Sequence, residues 1–198
     1  MLATMTTTAA ESKINILLMV ADDLRDTLGC DGNAAAKTPN MDRLAGRGVR
    51  SDRDKNTLFE RSCRGPLIVC APGAKAGQAC RSPVELVDLS PTVIDYCGLT
   101  AAHDLAGRSL RPLLMDPTSP GKSAAFTLVV RDKGRCDQSV RTDRWRYTRW
   151  SDGTSELKDP QETHDLSGNP RYADEIITLG KLLDQIGGFA AARPKSSP

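Results

Sequence analysis

The sequence predicts an α/β chain: a sheet with flanking helices, followed by a small antiparallel sheet that carries one packed helix. Three observations predict it. INILLMV (14–20) and PLIV (66–69) are near-continuous apolar runs, as in strands buried on both faces. AAFTLVV, DQSVRTD and RWRYTRW instead alternate between turn breaks, as strands of an antiparallel meander do. Tyr172, Ile176, Leu179, Leu183 and Ile186 then step by four and three, which marks an amphipathic helix. The change of style near 111–124 divides the chain into an α/β part, 14–110, and an α+β part, 111–198. Residues 1–13 are expected to be disordered and the tail from about Gly187 frayed.

The first apolar run should be a strand over 14–21, and it ends on Asp22 and Asp23. A charge pair there sits at the carboxyl end of a strand, where open α/β sheets gather ligands. Two adjacent aspartates repel unless a cation or basic side chains lie between them, although a solvated turn fits the residues equally well. A loop with Gly29, Gly32 and Asn33 leads to KTPNMDRLAGRG, in which Thr38 suits an N-cap and Pro39 the first helical position. Met41, Leu44 and Ala45 share a face, and Gly46 or Gly48 ends the helix. A second buried strand is expected near 66–71. SPVELVDLSPTVIDYCGL reads as a helix near 84–97, kinked or divided at Pro91. AGRSLRPLL is read as a connection. An antiparallel sheet over about 125–158 and a helix near 172–186 complete the chain.

Composition excludes several classes. With 27 basic and 25 acidic residues the net charge is +2, which calls for neither nucleic acid nor a membrane surface. No apolar run approaches the roughly 18 residues that span a bilayer. The opening MLATMTTTAAESK lacks the basic and apolar regions of a secretory signal, although its small residues also suit the end of a cleavage region, so location stays open. Cys30, Cys63, Cys70, Cys80, Cys97 and Cys136 form no C-x-x-C and no Cys/His cluster, which argues against zinc and for structural roles. His103 and His164 leave little for acid–base chemistry. GKS at 121–123 would need a glycine at 116 for a phosphate loop, and Asp116 stands there. Arg141, Arg144, Arg146 and Arg149 could hold a polyanion; alternation puts Arg144 and Arg146 on one strand face, for which solvation is the plainer reading.

NILLMVADDLRDTLGCDGN with KTPNMDRLAGRGV after it closely resembles the N-terminal signature of the sulfatases, within the alkaline-phosphatase-like superfamily. DKNTLFERSCRGPLIVCAPG resembles a later sulfatase block, and VELVDLSPTVIDYCGL the helix after it. SVRTDRWRYTRW with ELKDPQETHDLSGNP resembles the C-terminal subdomain of the iduronate-2-sulfatase-like branch. The resemblance implies an alkaline-phosphatase/sulfatase-like sheet, truncated, with the small C-terminal sheet beside it. It implies sulfuric ester hydrolysis as the family activity, with a sulfated glycan or small sulfate ester as ligand. It also implies a calcium ion on Asp22 and Asp23, hard oxygen ligands for a hard cation. Lys55 matches a lysine that contacts the substrate sulfate; taken alone it reads as an ordinary solvated lysine. Members of the family are usually secreted, periplasmic or lysosomal.

The departure from the family pattern is equally specific. A long central region separates the first helix from the KNTLFE block in the family, whereas here only VRSDRD, 49–54, intervenes. That region carries the nucleophile, a Cys or Ser in C/S-x-P-x-R that becomes formylglycine. Cys70-Ala71-Pro72 begins such a motif but has Ala74 in the arginine position. Cys80-Arg81-Ser82-Pro83 has suitable residues in the wrong order. No catalytic residue is therefore assigned, and the chain alone is expected not to hydrolyse sulfate esters. A non-catalytic remnant and a sulfated-glycan-binding protein are the alternatives.

Overall fold

A computed structural model describes residues 14–19, 28–51, 58–59, 66–131, 135–159 and 164–186. The first helix, α1, spans Pro39–Ala45 with Thr38 at its N-cap and Gly46 at its C-cap, as the capping residues predict. The Thr38 hydroxyl does not close the helix end in the usual way. It accepts from the Gly29 amide at 2.8 Å and donates to Asp42 Oδ1 at 2.9 Å, while the Cys30 amide donates to the same oxygen at 2.8 Å. These bonds lower the Asp42 pKa, the Thr38 hydroxyl most of all. They tie a 3₁₀ turn, Gly29–Asp31, to the first helical turn.

Next in the chain is a three-stranded mixed sheet, in the order β2-β1-β3. Strand β1 is Val49–Ser51, β2 is Leu67–Val69 and β3 is Gln78–Ala79. β2 runs antiparallel to β1 and β3 parallel to it. Chain packing at the start of β1 is tight: a Cβ on Gly48 would lie 2.5 Å from the Val69 carbonyl and 2.6 Å from Cys70 Sγ, so glycine is required there.

The strand expected at 14–21 is corrected over residues 14–19, and 20 and 21 lie outside the described residues. Residues 14–19 form neither strand nor helix, and Leu17 is 81% exposed. An apolar run specifies burial, but a strand exists only where a neighbour pairs its backbone, and no described strand lies alongside.

The kinked helix resolves into a 3₁₀ turn, Leu86–Asp88, running directly into α2, Leu89–Tyr96. Pro91 lies in the first turn of α2, where a missing N–H costs no intrahelical bond. The stretch read as a connection contains a further helix, α3, Arg111–Met115, with Pro112 in its first turn. Val49, Val84, Leu110, Leu113 and Leu114 form the core of this half.

The second half keeps to its pattern closely. Strands β4 (Ala125–Val130), β5 (Cys136–Arg141), β6 (Arg146–Arg149) and β7 (Ser155–Lys158) form an antiparallel meander in chain order. Register places Phe126, Val140, Tyr147 and Leu157 in one row. Against that row packs α4, Ala173–Gln185, entered through a 3₁₀ turn at Pro170–Tyr172. Leu179 and Leu183 are buried in this core, with Tyr172, Ile176 and Ile186 around them, so the face predicted from the spacing is the packed one. The opposite row is polar: Thr127, Ser139, Thr148 and Glu156. Residues 1–13 and 187–198 lie outside the described residues.

Candidate functional site

Asp22, Asp23 and Lys55 all lie outside the described residues, so their expected convergence rests on the sequence. The chain is anchored a few residues beyond each of them. After the aspartates, Leu28 is buried and the next turn is stapled to α1 by Thr38 and Asp42. After Lys55, Leu58 is fully buried, and the Phe59 ring meets Trp150 with centroids 5.8 Å apart. Phe59 therefore reaches the β6–β7 end of the meander. Among the described residues no three His, Cys, Asp or Glu side chains are placed together to hold a metal ion.

Of the four arginines that could hold a polyanion, Arg141 and Arg146 face each other across β5 and β6, while Arg144 and Arg149 lie elsewhere. Arg146 is 3% exposed, with Nη1 donating to the Ser139 hydroxyl at 3.3 Å, so its strand face is buried rather than solvated. Arg149 lies on the α4 side, donating to Asp184 at 2.9 Å, a bond that raises its pKa. Arg144 sits in the β5–β6 turn with its guanidinium 4.6 Å from the Trp145 ring centre.

A cleft forms instead at the opposite end of the meander from Arg144, where the β4–β5 and β6–β7 connections lie side by side. It encloses about 560 Å³ and is lined by Arg131, Arg135, Asp137, Trp150, Ser151 and Asp152, with Val130 at its rim. Asp137 organises it. One carboxylate oxygen accepts from Arg131 Nε at 2.6 Å, and the other from the Ser151 amide at 2.8 Å. Burial pushes the Asp137 carboxyl up, but these bonds outweigh it and hold the group below the ordinary range. Asp152 is held down by the Thr154 hydroxyl and amide, at 2.7 and 2.9 Å. The β6–β7 turn is closed by Gly153, whose φ of 91° suits glycine. Sequence reasoning missed this cleft. Its legible signal was a pair of arginines in RDKGR and an aromatic residue heading the turn WSDG.

A second polar cluster joins the two halves. Lys122 bridges Glu85 Oε2 at 2.5 Å and the fully buried Asp88 Oδ1 at 2.6 Å. Asp88 also accepts from the Glu85 and Arg108 amides, each at 2.8 Å, and Glu85 Oε1 accepts from the Phe126 amide at 3.0 Å. Every member is satisfied within the protein, which marks this cluster as structural.

Comparison with known proteins agrees with this fold. The family model described as N-sulphoglucosamine sulphohydrolase, C-terminal, matches residues 50–187. Human arylsulfatase K is 34% identical over 141 residues, which cover 67% of this chain and 25% of that protein. Arylsulfatase K of Gallus gallus is 30% identical over 151 residues, covering 68% and 28%. The chain thus spans about a quarter of the length of these relatives. Among solved structures, one of a protein in complex with its substrate D-glucosamine-2-N,6-O-disulfate is similar at 26% identity and a TM-score of 0.60, covering 67% of this chain and 30% of that one. A 2-O GAG sulfatase shares the fold at a TM-score of 0.58 and 24% identity, covering 67% and 31%. With more than half of its residues inside the family model, and with its meander and packed helix accounted for, the chain belongs to the sulfatase family through the N-sulphoglucosamine sulphohydrolase C-terminal region.

Proposed function

We propose that this protein is a sulfuric ester hydrolase relative of the iduronate-2-sulfatase-like branch, that its ligand is a sulfated glycan or a small sulfate ester, and that the chain by itself does not cleave it. One paired observation carries this reading: the family match over 50–187 comes with a sequence in which no Cys or Ser heads a C/S-x-P-x-R motif. Covalent catalysis at sulfur needs an activated nucleophile within bonding reach, and positioning with electrostatics alone accelerates far less. Asp22 and Asp23 are read as calcium ligands and Lys55 as the ammonium that meets the sulfate. Two carboxylates fall short of the six to eight oxygens calcium takes, so the affinity should be weak.

The test is turnover of a chromogenic aryl sulfate by the full chain, with calcium, after co-expression with a formylglycine-generating enzyme. No turnover above the protein-free rate is expected. Turnover that vanishes in the Asp22→Ala, Asp23→Ala double variant would overturn the inactivity. A glycan-binding role without turnover is the second reading, and the cleft at the end of the meander favours it.

A further inference from the structure

We infer that the cleft between the β4–β5 and β6–β7 connections is a subsite for one acidic saccharide unit, in which Arg131 and Arg135 take the anionic group and Trp150 carries the sugar ring. The inference rests on the sulfated-glycan reading above and adds to it a place and a set of residues apart from Asp22, Asp23 and Lys55.

The size of the cleft limits its ligand. About 560 Å³ falls within the usual range for small-molecule pockets and suits a sugar residue better than an extended polymer.

The cleft is also braced. Asp137 is 4% exposed, and its carboxylate grips Arg131 on one wall and the Ser151 amide on the other. It acts as a positioning residue: the two walls are tied to each other through one buried charge, so the site is formed before a ligand arrives. The Arg131 and Arg135 ends are joined further by the Arg131 amide donating to the Arg135 carbonyl at 2.8 Å.

Chemistry selects the ligand. Arg131 uses Nε for Asp137, which leaves both terminal guanidinium nitrogens outside that bond. Arg135 adds a second, exposed guanidinium, and a planar fork of donors matches the oxygens of a sulfate or carboxylate. Trp150 is half-buried and braced by Phe59 at 5.8 Å, so its ring is a fixed apolar wall. Asp152 holds Thr154 through Oδ1, and its carboxylate is an acceptor suited to a sugar hydroxyl. Among the described lining residues two arginines stand against two aspartates. A ligand that carries an anionic group beside hydroxyls meets both donors and acceptors there.

The experiment is calorimetric titration of the full chain with N-acetylglucosamine 6-sulfate, with N-acetylglucosamine and with sodium sulfate. The sulfated sugar should bind at least tenfold more tightly than either other probe. Arg135→Ala should weaken it about tenfold, the loss expected for a charge-assisted hydrogen bond. Trp150→Leu should weaken it as well. Arg144→Ala, at the other end of the meander, should leave it unchanged. Arg135 is exposed, so its variant is expected to keep the wild-type melting temperature. Unchanged affinity in both cleft variants would overturn the subsite, as would an equal loss in Arg144→Ala or sodium sulfate binding as tightly as the sugar. Absence of binding by the wild-type chain would also overturn it, leaving the family reading to the turnover assay, which does not involve Arg135.

Discussion

Asp137 has to remain ionised while almost out of water. Burial alone would raise its pKa, but the Arg131 guanidinium and the Ser151 amide bring it below the usual value of 3.8. A depressed folded-state pKa means that the unfolded chain takes up a proton first as the solution is acidified. The stabilisation is complete above pH 3.8 and is lost as the pH falls through the lower folded-state value. Thermal melts between about pH 2 and pH 6 should show wild type losing stability in that acid window. Asp137→Asn, less stable throughout, should lose less over the same interval; parallel curves would remove Asp137 from the acid response. At this scale the sequence was only partly legible. The alternation of Arg146 and Tyr147 onto opposite faces was right, but solvation of the Arg146 face was not, because pattern reports which way a side chain points and not what lies over it. The cleft residues were missed for a related reason: Arg131, Arg135 and Trp150 become neighbours only through strand register, which no local pattern contains.

Elements were legible where one segment's own period decides its partner face. The C-terminal helix is such a case: its four-and-three spacing names the residues that meet the meander. Leu183 is 2% exposed and sits among Val140, Tyr147 and Leu157. Leu183→Ala should therefore cost about 2–5 kcal/mol, the range for emptying a buried leucine site, while Ile177→Ala on the exposed side should cost far less. Urea unfolding of the two variants checks this, and equal losses would mean that the packed face is misassigned. Elements whose existence depends on distant partners were not legible. The VRS of β1 is too short to announce itself and is a strand because β2 and β3 flank it. The stretch read as a connection holds α3, five residues long, with Pro112 in its first turn, where a proline is compatible with a helix. Residues 14–19 erred the other way, apolar enough for a strand yet unpaired by any described neighbour.

For the molecule as a whole, the question is what makes two differently built halves one protein. Each has its own apolar core, one around Leu110 and Leu114 and one around Val140 and Leu183. Polar bonds and a ring contact join them: Lys122 and the Phe126 amide reach back to Glu85, Lys122 also reaches Asp88, and Phe59 meets Trp150. Asp88→Ala leaves Lys122 and the Glu85 and Arg108 amides without a common acceptor, and should cost about 3–5 kcal/mol, as breaking a buried pair does. Hydrogen exchange should locate the loss. Amides of β1–β3 and α2 should exchange faster in the variant, while those of β5 and β6 keep their protection. Uniform acceleration across both sheets would mean a single cooperative unit instead. The Glu85–Asp88–Lys122 link was not legible in the sequence, since its members are spread over 37 positions.

The two sheets also differ in what they ask of a chain that has yet to find its shape. In the meander every strand pairs with the next one along, so each closure spans a short turn. In the other sheet β1 must wait for β2 and β3, and its pairing with β3 is parallel, across a long excursion. Loop closure costs entropy before contacts repay it, and non-local pairing is the slow part of folding. The meander is therefore expected to form ahead of the mixed sheet, which then gains a surface to settle on through the Lys122 bridge.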